Sequence, residues 1–341
     1  MKNKLSIVAG IVLVILSVIS YTYYQNIFGS AIKEDTILFV YADNDLNDIN
    51  KKITQYSNKP DYFLWVVSKK NIKKIKPGRY ILKKGMSNND IVNMFRIGDQ
   101  TALTISFNNQ DTLEKFAGRI AKQIATDSIT ILTSFKDKKF LQENNLTAKS
   151  VLQICIPNSY QFYWTVSGDQ FRDKLLQEYK RFWNKDRLEK AEVLGMSISE
   201  VITLASIVQK ETAKNIERPI VAGLYLNRLK NGWPLQADPT VIYAIKELKG
   251  QNYVVKRVLN KDLEIDSPYN TYKYRGLPPS LISMPDINAI DAVLNYTKHN
   301  YYYMCVDLTN FGYHKFASKL SEHNKNAREY QRWLSKNGVN R

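Results

Sequence analysis

The sequence predicts an α+β protein in which a transmembrane helix precedes two folded parts. An apolar stretch of membrane-spanning length lies near the N-terminus, and short strand-like runs then alternate with amphipathic helix patterns. The chain has 341 residues, 44% of them hydrophobic, which is enough for about two or three domains. We expect an anchor within residues 1–30, a small α/β subdomain over residues 35–100 and a larger mixed α+β domain over residues 101–341.

The N-terminal stretch Leu5–Tyr24 carries no charged side chain, and about 20 apolar residues can span a bilayer core. Lys2 and Lys4 precede it, so the positive-inside rule predicts a cytoplasmic N-terminus with the rest of the chain outside. Cleavage as a signal peptide is the alternative. The hydrophobic run is long for a signal peptide, and Ser20–Gln25 lacks a convincing cleavage site. We expect an uncleaved single-pass anchor in the cytoplasmic (inner) membrane.

The chain is strongly basic, with a formal net charge of +17 at pH 7. This excess predicts an anionic partner, which can be nucleic acid, anionic lipid or cell-wall polymer. Zinc-finger spacings, RNP aromatics and a P-loop are all missing from the sequence, so no nucleic-acid partner is expected. The cysteines, Cys155 and Cys305, and the three histidines have no metal-ligand spacing, so we expect no metal and no cofactor. The sequence leaves open whether the two cysteines pair.

Short strands and helices alternate through the first folded part and beyond it. We expect strands at Ile37–Tyr41 and Leu103–Phe107, a turn entering a strand at Ile75–Leu82, and helices at Asp45–Tyr56, Asp90–Arg96, Thr112–Ala125 and Lys138–Asn144. Later elements are helices at Phe171–Asn184, at Asp286–Tyr296 and up to about Lys336, with strands at Tyr301–Val306 and His314–Phe316. This mixture of elements is typical of an α+β fold.

The most informative stretch begins at Ser197, which has capping-box spacing to Glu200 and predicts a helix start. One face of this helix carries Val201, Leu204 and Val208, and Glu211 falls where that apolar stripe continues. A carboxyl group there is partly desolvated, which raises its pKa and makes it a candidate general acid. The alternative is that the helix frays before this residue and the carboxylate reaches water.

Two more helices are predicted downstream. Arg218-Pro219 opens the first, and Asn231-Gly232 ends it, since glycine readily takes the left-handed conformation of a helix C-cap. Asp238 is predicted to be the N-cap of the second, with Pro239 as its first helical residue. On this pattern alone, capping is a sufficient role for Asp238.

Six short motifs occur in the same order and at compatible spacing to those of one known family. They are K-E-T at Lys210, E-R at Glu217, N-R-L at Asn227, L-Q-A-D-P-T-V-I-Y at Leu235, S-P-Y-N-T-Y at Ser267 and G-L-P-P at Gly276. Together they resemble the MltG (YceG-like) endolytic murein transglycosylases. The order P-G-R-Y then K-G-M-S, after Pro77, resembles that family's LysM-like subdomain. LysM modules bind glycans rich in N-acetylglucosamine (GlcNAc), although this module can equally serve only to pack on the catalytic domain.

The resemblance implies a membrane-anchored lytic transglycosylase. Such an enzyme cuts β-1,4 bonds between N-acetylmuramic acid (MurNAc) and GlcNAc in nascent peptidoglycan strands and leaves 1,6-anhydroMurNAc ends. It implies that Glu211 is catalytic. Substrate-binding residues are expected within two of the motifs, at Gln236, Asp238, Thr240, Tyr269, Asn270, Thr271 and Tyr272. The implied partners are glycan strands, the membrane through the N-terminal helix, and peptidoglycan synthases.

Two rival functions remain open at this point. A muramidase-like hydrolase would use Glu211 with Asp238 as its second carboxylate. A noncatalytic wall-binding scaffold would use only the LysM-like module. Lytic transglycosylases need one carboxyl group, which first donates a proton and then accepts one, and the motif at Lys210 contains only Glu211 as a carboxylate.

Overall fold

The computed structural model describes residues 2–336, with the side chains from Lys4 onward. Residue 1 and residues 337–341, which fall within the predicted anchor and the predicted larger domain, lie outside the described residues. The chain forms two compact units. Unit 1 takes in the described residues up to Ile105, with 121–127 and 160–167. Unit 2 takes in residues 106–120, 128–159 and the described residues from Gly168 onward. Both contain helices and strands, which confirms the mixed α+β class.

Unit 1 begins with the apolar helix and continues as a small mixed fold. Its elements are α1 (Lys2–Phe28), β1 (Thr36–Val40), α2 (Leu46–Thr54), α3 (Asp61–Lys69), β2 (Gly78–Leu82) and α4 (Asn88–Ile97). The strands β1 and β2 pair antiparallel, with Thr36 opposite Leu82. Alternate residues of β1, Leu38 and Val40, are buried with Tyr80 of β2, so one face of the sheet packs against the helices. The apolar run Phe63–Val67 lies in α3.

Helix α1 is long and apolar enough to cross a membrane between Lys4 and Phe28. Its last turns also belong to the fold of unit 1. The buried amide of Asn88 donates to the carbonyl of Asn26 at 3.0 Å, and the ring of Tyr23 meets that of Tyr62 edge-on at 6.2 Å between centroids. The C-terminal end of α1 therefore supports α3 and α4 as well as ending the apolar stretch.

Two further short strands, β3 (Leu103–Ser106) and β4 (Ser159–Phe162), form a second two-stranded sheet. Unit 2 contains most of the remaining elements, which are α5 (Leu113–Ala121), α6 (Ser128–Phe135), α7 (Lys138–Glu143), α8 (Gly168–Phe182), α9 (Lys185–Val193), α10 (Ile198–Glu211), α11 (Arg218–Lys230), α12 (Asp238–Lys249), α13 (Ile287–Leu294), β5 (Tyr303–Val306), β6 (His314–Ala317) and α14 (Leu320–Lys336). The helix predicted over residues 112–125 is too long, because the backbone N–H of Ala125 bonds to the carbonyl of Trp164 instead of continuing the helix.

Helix α10 is the centre of unit 2. Its first turn has the predicted capping box, in which Ser197 accepts from the backbone of Glu200 and the Glu200 side chain accepts from the backbone of Ser197. Nine consecutive residues, Val201–Gln209, are buried, and α10 packs against α9, α11, α12 and α13. The helix continues through Glu211, so the alternative of a frayed end is wrong.

Candidate active site

Glu211 is the last residue of α10, and the buried helix brings its carboxyl group out of bulk water. The residue as a whole is half-buried, but Oε2 is buried and has no hydrogen-bond partner among residues 2–336. Burial raises the pKa of Glu211 to about 7, from a usual value of 4.5. His314 acts against this increase, Asp238 adds to it, and Tyr225 and Arg228 act against it. Near neutral pH the group can therefore both donate and accept a proton.

Helix α11 supplies two buried groups beside Glu211. The hydroxyl of Tyr225 has no hydrogen-bond partner in the described part of the chain, and it interacts with Glu211 without reaching hydrogen-bond geometry. Burial raises the pKa of Tyr225, so this hydroxyl remains protonated. The guanidinium of Arg228 donates from Nε to the carbonyl of Tyr302 at 2.7 Å and from Nη1 to that of Leu235 at 2.5 Å. Arg228 thus places a positive charge near Glu211 while holding two loops.

Asp238 does not cap α12, so that prediction is wrong. Ala237 occupies the N-cap position without a side-chain bond, and Asp238 is the first helical residue. Its carboxylate instead accepts a hydrogen bond of 2.6 Å from the hydroxyl of Tyr272. A local capping rule could not show this, because the competing donor lies in a different motif. The Asp238 carboxylate is therefore exposed, and the Tyr272 hydroxyl orients it. This carboxylate also raises the pKa of Glu211.

A buried network joins the loop before α12 to the loop that contains Tyr272. Thr240 donates to the carbonyl of Ala237 at 2.7 Å, and Thr271 accepts from the backbone N–H of Ala237 at 3.0 Å. The two hydroxyls are 2.8 Å apart, and since Thr240 has given its only hydrogen to Ala237, Thr271 must donate to Thr240. Gln236 has a left-handed backbone, with φ of 50°, and an exposed side chain. The network thus fixes the backbone around Gln236 and Asp238.

The remaining predicted site residues stabilise the second loop from within. The amide of Asn270, which is fully buried, donates to the carbonyls of Leu263 and Ile265 at 2.8 and 2.9 Å and accepts from the backbone of Tyr272 at 3.0 Å. The buried Tyr269 shares a 2.7 Å hydrogen bond with Ser280. The structure therefore separates the predicted residues into two groups. Gln236, Asp238 and Tyr272 have solvent-accessible side chains, whereas Thr240, Tyr269, Asn270 and Thr271 are buried behind them.

The sequence analysis assigned no role to His314, which lies at the start of β6 and lowers the pKa of Glu211. The buried carboxylate of Glu217, only 3% exposed, accepts from the backbone N–H of His314 at 2.5 Å and bonds its ring Nδ1 at 2.9 Å. The E-R motif contains Glu217, but nothing in the sequence around either residue indicates that His314 is its partner. Arg218, the second member of that motif, donates to Asp286 at 2.8 Å and so joins α11 to the start of α13.

The two residues that precede the candidate acid, Gln209 and Lys210, have structural roles. The amide of Gln209 donates to the carbonyl of Met284 at 3.3 Å and accepts from the backbone N–H of Asp286 at 2.6 Å. An ionised carboxylate at this position could accept the second bond but could not donate the first. Lys210 forms an ion pair of 2.6 Å with Asp111. Gln209 therefore acts as a bridge between α10 and the segment before α13.

Within residues 2–336, no group of three or more histidine, cysteine, aspartate or glutamate side chains is arranged to hold a metal ion. Cys155 and Cys305 are both free thiols. Cys155 is buried, whereas Cys305 in β5 is only half-buried.

Comparison with known proteins places this chain in a family. Residues 38–329 match the profile of the YceG-like family. A Bacillus subtilis (strain 168) protein named endolytic murein transglycosylase is 29% identical over 289 residues, which covers 79% of this chain and 76% of that protein. A Streptococcus pneumoniae (strain D39) protein of the same name is 27% identical over 294 residues, which covers 79% of this chain and 53% of that protein. The chain thus spans about half the length of its streptococcal relative.

A solved structure gives the same result for the fold. The crystal structure of a YceG-like protein from Listeria monocytogenes is similar to this chain with a TM-score of 0.56 and 27% sequence identity. The similarity covers 86% of this chain and 98% of that one. Because the family profile matches most of the sequence, the chain belongs to the YceG-like family.

Proposed function

We propose that this chain is an endolytic peptidoglycan lytic transglycosylase, and that Glu211 is its catalytic acid and base. The observation that carries the proposal is the buried, unpartnered Oε2 of Glu211 with a pKa of about 7. A carboxyl group in this state can protonate a leaving oxygen at neutral pH. The relatives named endolytic murein transglycosylase support the substrate class.

The proposed reaction uses one carboxyl group twice. Glu211 donates its proton to the glycosidic oxygen, and the bond from that oxygen to C1 of MurNAc breaks as its electron pair moves to the oxygen. The Glu211 carboxylate then takes the proton of the C6 hydroxyl of the same MurNAc, whose oxygen bonds to C1 and closes the 1,6-anhydro ring. Glu211 ends the cycle protonated, and no water is consumed.

We propose that Gln236, Asp238 and Tyr272 contact the glycan, because their side chains are accessible beside Glu211. The buried Thr240, Tyr269, Asn270 and Thr271 support substrate binding by holding the loops that carry those three residues. The bond from Tyr272 to Asp238 favours a positioning role for Asp238 over the role of a second catalytic carboxylate. The muramidase-like alternative remains distinguishable by its products.

The first folded part is proposed to be a LysM-like module that holds the strand. Its β1, α2, α3 and β2 follow one another as strand, helix, helix and strand, with the two strands paired antiparallel. A cleft of about 480 Å³ lies between the segment 42–47, after β1, and the segment 73–75, before β2. Its lining is rich in amide, carboxylate and ammonium groups, which suit a hydroxyl-rich ligand such as a GlcNAc-containing glycan.

Product mass tests the reaction and distinguishes it from hydrolysis. Full-length protein in detergent micelles, incubated with long uncrosslinked glycan strands, is expected to give products with anhydro ends, each one water lighter than a hydrolysis product. Early time points should contain mixed oligomers because an endolytic enzyme cuts inside the strand. Reducing ends would instead support the muramidase-like hydrolase. Disaccharide alone from the start would contradict internal cutting and remove the support for a strand-holding module.

We propose that α1 anchors the protein in the cytoplasmic (inner) membrane, with the N-terminus in the cytoplasm and unit 2 outside. This location would confine cutting to glycan near the membrane, where peptidoglycan synthases release new strands. The apolar composition of α1 supports anchoring, and Lys4 before the apolar run supports the orientation.

Two deletions test whether α1 both anchors the protein in the membrane and stabilises the fold of unit 1. Deleting residues 2–20 should move the protein to the soluble fraction with its melting temperature unchanged. Deleting residues 1–30 should also remove the carbonyls of Gln25 and Asn26, which accept from Lys59 and Asn88. Losing partners of buried groups costs about 1–3 kcal/mol, so this second variant should melt lower. Equal melting temperatures would mean that α1 serves only as an anchor.

A further inference from the structure

We propose that Trp233 is a glycan-binding residue, and that one pyranose ring of the strand stacks on its indole in a subsite next to Gln236. The inference rests on the proposed function, because it concerns the same substrate. Trp233 lies between the motifs at Asn227 and Leu235 and belongs to neither. It is therefore a residue that the motifs did not point to.

The backbone after α11 keeps Trp233 close to a proposed glycan contact. Gly232 has a left-handed backbone, with φ of 65°, which ends the helix, and the backbone N–H of Trp233 bonds to the carbonyl of Arg228 at 2.8 Å. The guanidinium of Arg228 also donates to the carbonyl of Leu235. Gln236 follows three residues after Trp233, so their Cα atoms are at most about 11 Å apart. One arginine thus fixes both ends of the segment that leads to Gln236.

Two tyrosine rings pack against the indole of Trp233. The Tyr302 ring lies 4.9 Å away between centroids, tilted by 40°, and the Tyr303 ring lies 6.0 Å away at 63°. Tyr302 is itself held at two points. Its carbonyl accepts from Arg228 Nε at 2.7 Å, and its hydroxyl accepts from the Asn231 amide at 3.1 Å. Aromatic pairs in such geometries attract one another, so these contacts hold the indole in a defined orientation.

The indole still offers a surface to a ligand, because Trp233 is 39% exposed. Covering exposed aromatic surface is favourable, and a ring that is already held loses little freedom when a ligand covers it. Pyranose rings with equatorial substituents, such as those of GlcNAc and MurNAc, present axial C–H groups that pack on aromatic rings. The accessible amide of Gln236 can hydrogen-bond the polar groups at the edge of such a sugar. Trp233 and Gln236 together therefore suit a carbohydrate.

Position is what distinguishes Trp233 from an ordinary exposed aromatic residue. Single exposed apolar side chains are common on protein surfaces and need no function. Trp65 in α3 has a similar exposure, 37%, and its ring also lies near a tyrosine, with 6.1 Å between its centroid and that of Tyr23. Trp65 belongs to unit 1, whereas Trp233 shares a fixed segment with Gln236 in unit 2. Trp65 is therefore the matched control for a change at Trp233.

The test is equilibrium binding of a short uncrosslinked peptidoglycan oligosaccharide to full-length protein in detergent micelles. The parent protein carries Glu211→Gln, so that the ligand stays intact. Trp233→Phe keeps a flat ring, whereas Trp233→Leu keeps apolar bulk without a flat face. We expect Trp233→Phe to bind within about twofold of the parent and Trp233→Leu to bind roughly tenfold more weakly. In protein that retains Glu211, Trp233→Leu should raise KM by a similar factor with little change in kcat, because stacking stabilises bound substrate and transition state alike.

Tryptophan fluorescence gives a second, local measurement. The emission of the parent should change when the oligosaccharide is added, and the change should be smaller in Trp233→Phe although that variant still binds. Trp65→Leu should leave both the affinity and KM as they are in the matching protein. If Trp233→Leu does not fold, the emission decides the question, and an equal change in the parent and in Trp233→Phe overturns the subsite.

Two binding results would overturn the stacking role. The first is a folded Trp233→Leu variant with the affinity of the parent. The second is an equal loss of affinity in Trp233→Phe and Trp233→Leu that follows their melting temperatures, which would mean that the indole only supports the fold.

Product analysis separates failure of this inference from failure of the proposed function. Anhydro products from the unmodified protein, together with an unchanged KM in Trp233→Leu, overturn the role of Trp233 alone. An unmodified, folded protein that neither binds nor cleaves the glycan overturns the proposed function, and the subsite with it.

Discussion

Replacing Glu211 with glutamine is expected to abolish detectable turnover, with a loss of at least about 10²–10⁴-fold. The amide is nearly isosteric with the protonated acid, but it cannot donate a proton to the leaving oxygen or take one from the C6 hydroxyl. The measurement is the rate of anhydro-product release from glycan strands by the folded variant. Turnover near that of the unmodified protein would contradict the assignment of Glu211.

The same substitution should stabilise the protein at alkaline pH. The pKa of Glu211 is raised from 4.5 to about 7 on folding, so its ionised form is less favourable in the folded than in the unfolded state. Stability is therefore complete below the unfolded pKa and falls by about 2–3 kcal/mol as pH rises through the folded value. Glutamine does not ionise. Melting temperatures of the two proteins should be similar at pH 4 and diverge in favour of the variant at pH 8.5.

Asp238→Asn provides the matched acid-to-amide control. The amide oxygen of asparagine can still accept the hydrogen bond from Tyr272, and no cap is lost because Asp238 does not cap α12. This variant should therefore lose much less activity than Glu211→Gln. An equal, complete loss in both variants, with normal melting temperatures, would favour the two-carboxylate hydrolase.

Arg228→Lys is expected to have the second-largest effect, on stability and turnover together. The guanidinium bonds the carbonyls of Leu235 and Tyr302, and a single ammonium cannot reproduce that fork. One buried carbonyl would lose its partner, at a cost of about 2–4 kcal/mol and roughly 5–15 °C in melting temperature. Displacement of the backbone next to Gln236 should reduce turnover by about 10²-fold.

Arg181→Lys is the control for that change of side chain. Arg181 is 68% exposed and pairs with Glu178 on the surface of α8, where a single ion pair contributes little. Its melting temperature should stay within about 1–2 °C of the unmodified protein. If Arg228→Lys changed stability no more than Arg181→Lys, the two carbonyl bonds would not be the support that we infer.

Local patterns were sufficient to predict the elements that depend on nearby residues. The capping box between Ser197 and Glu200 and the apolar stripe that leads to Glu211 both depend on residues within a few turns of one helix, and α10 has both. The strands near Leu38 and Tyr80 were also found, because alternation of buried and exposed residues is a local property.

Features that depend on distant residues could not be predicted in this way. Asp238 has the sequence of an N-cap, but its preferred partner, Tyr272, is 34 positions away. Glu217 and His314 are 97 positions apart, and nothing in either local sequence predicts that they bond. The sequence pattern predicts one buried face for α10. The helix is instead buried on all sides, because other helices cover it from several directions.

The burial of Val201–Gln209 on every side also has a dynamic consequence. Backbone hydrogen bonds in such a helix open only when the surrounding helices separate, so local fluctuations contribute little to their exchange with solvent. The proposed proton donor at the end of α10 is therefore expected to keep its low-dielectric environment through local fluctuations of the fold. The side chain of Gln236 is exposed, so it can change rotamer while the backbone beneath it stays fixed. The proposed site thus combines a rigid acid with an exposed side chain that could adjust to successive sugars of a long strand without disturbing the acid.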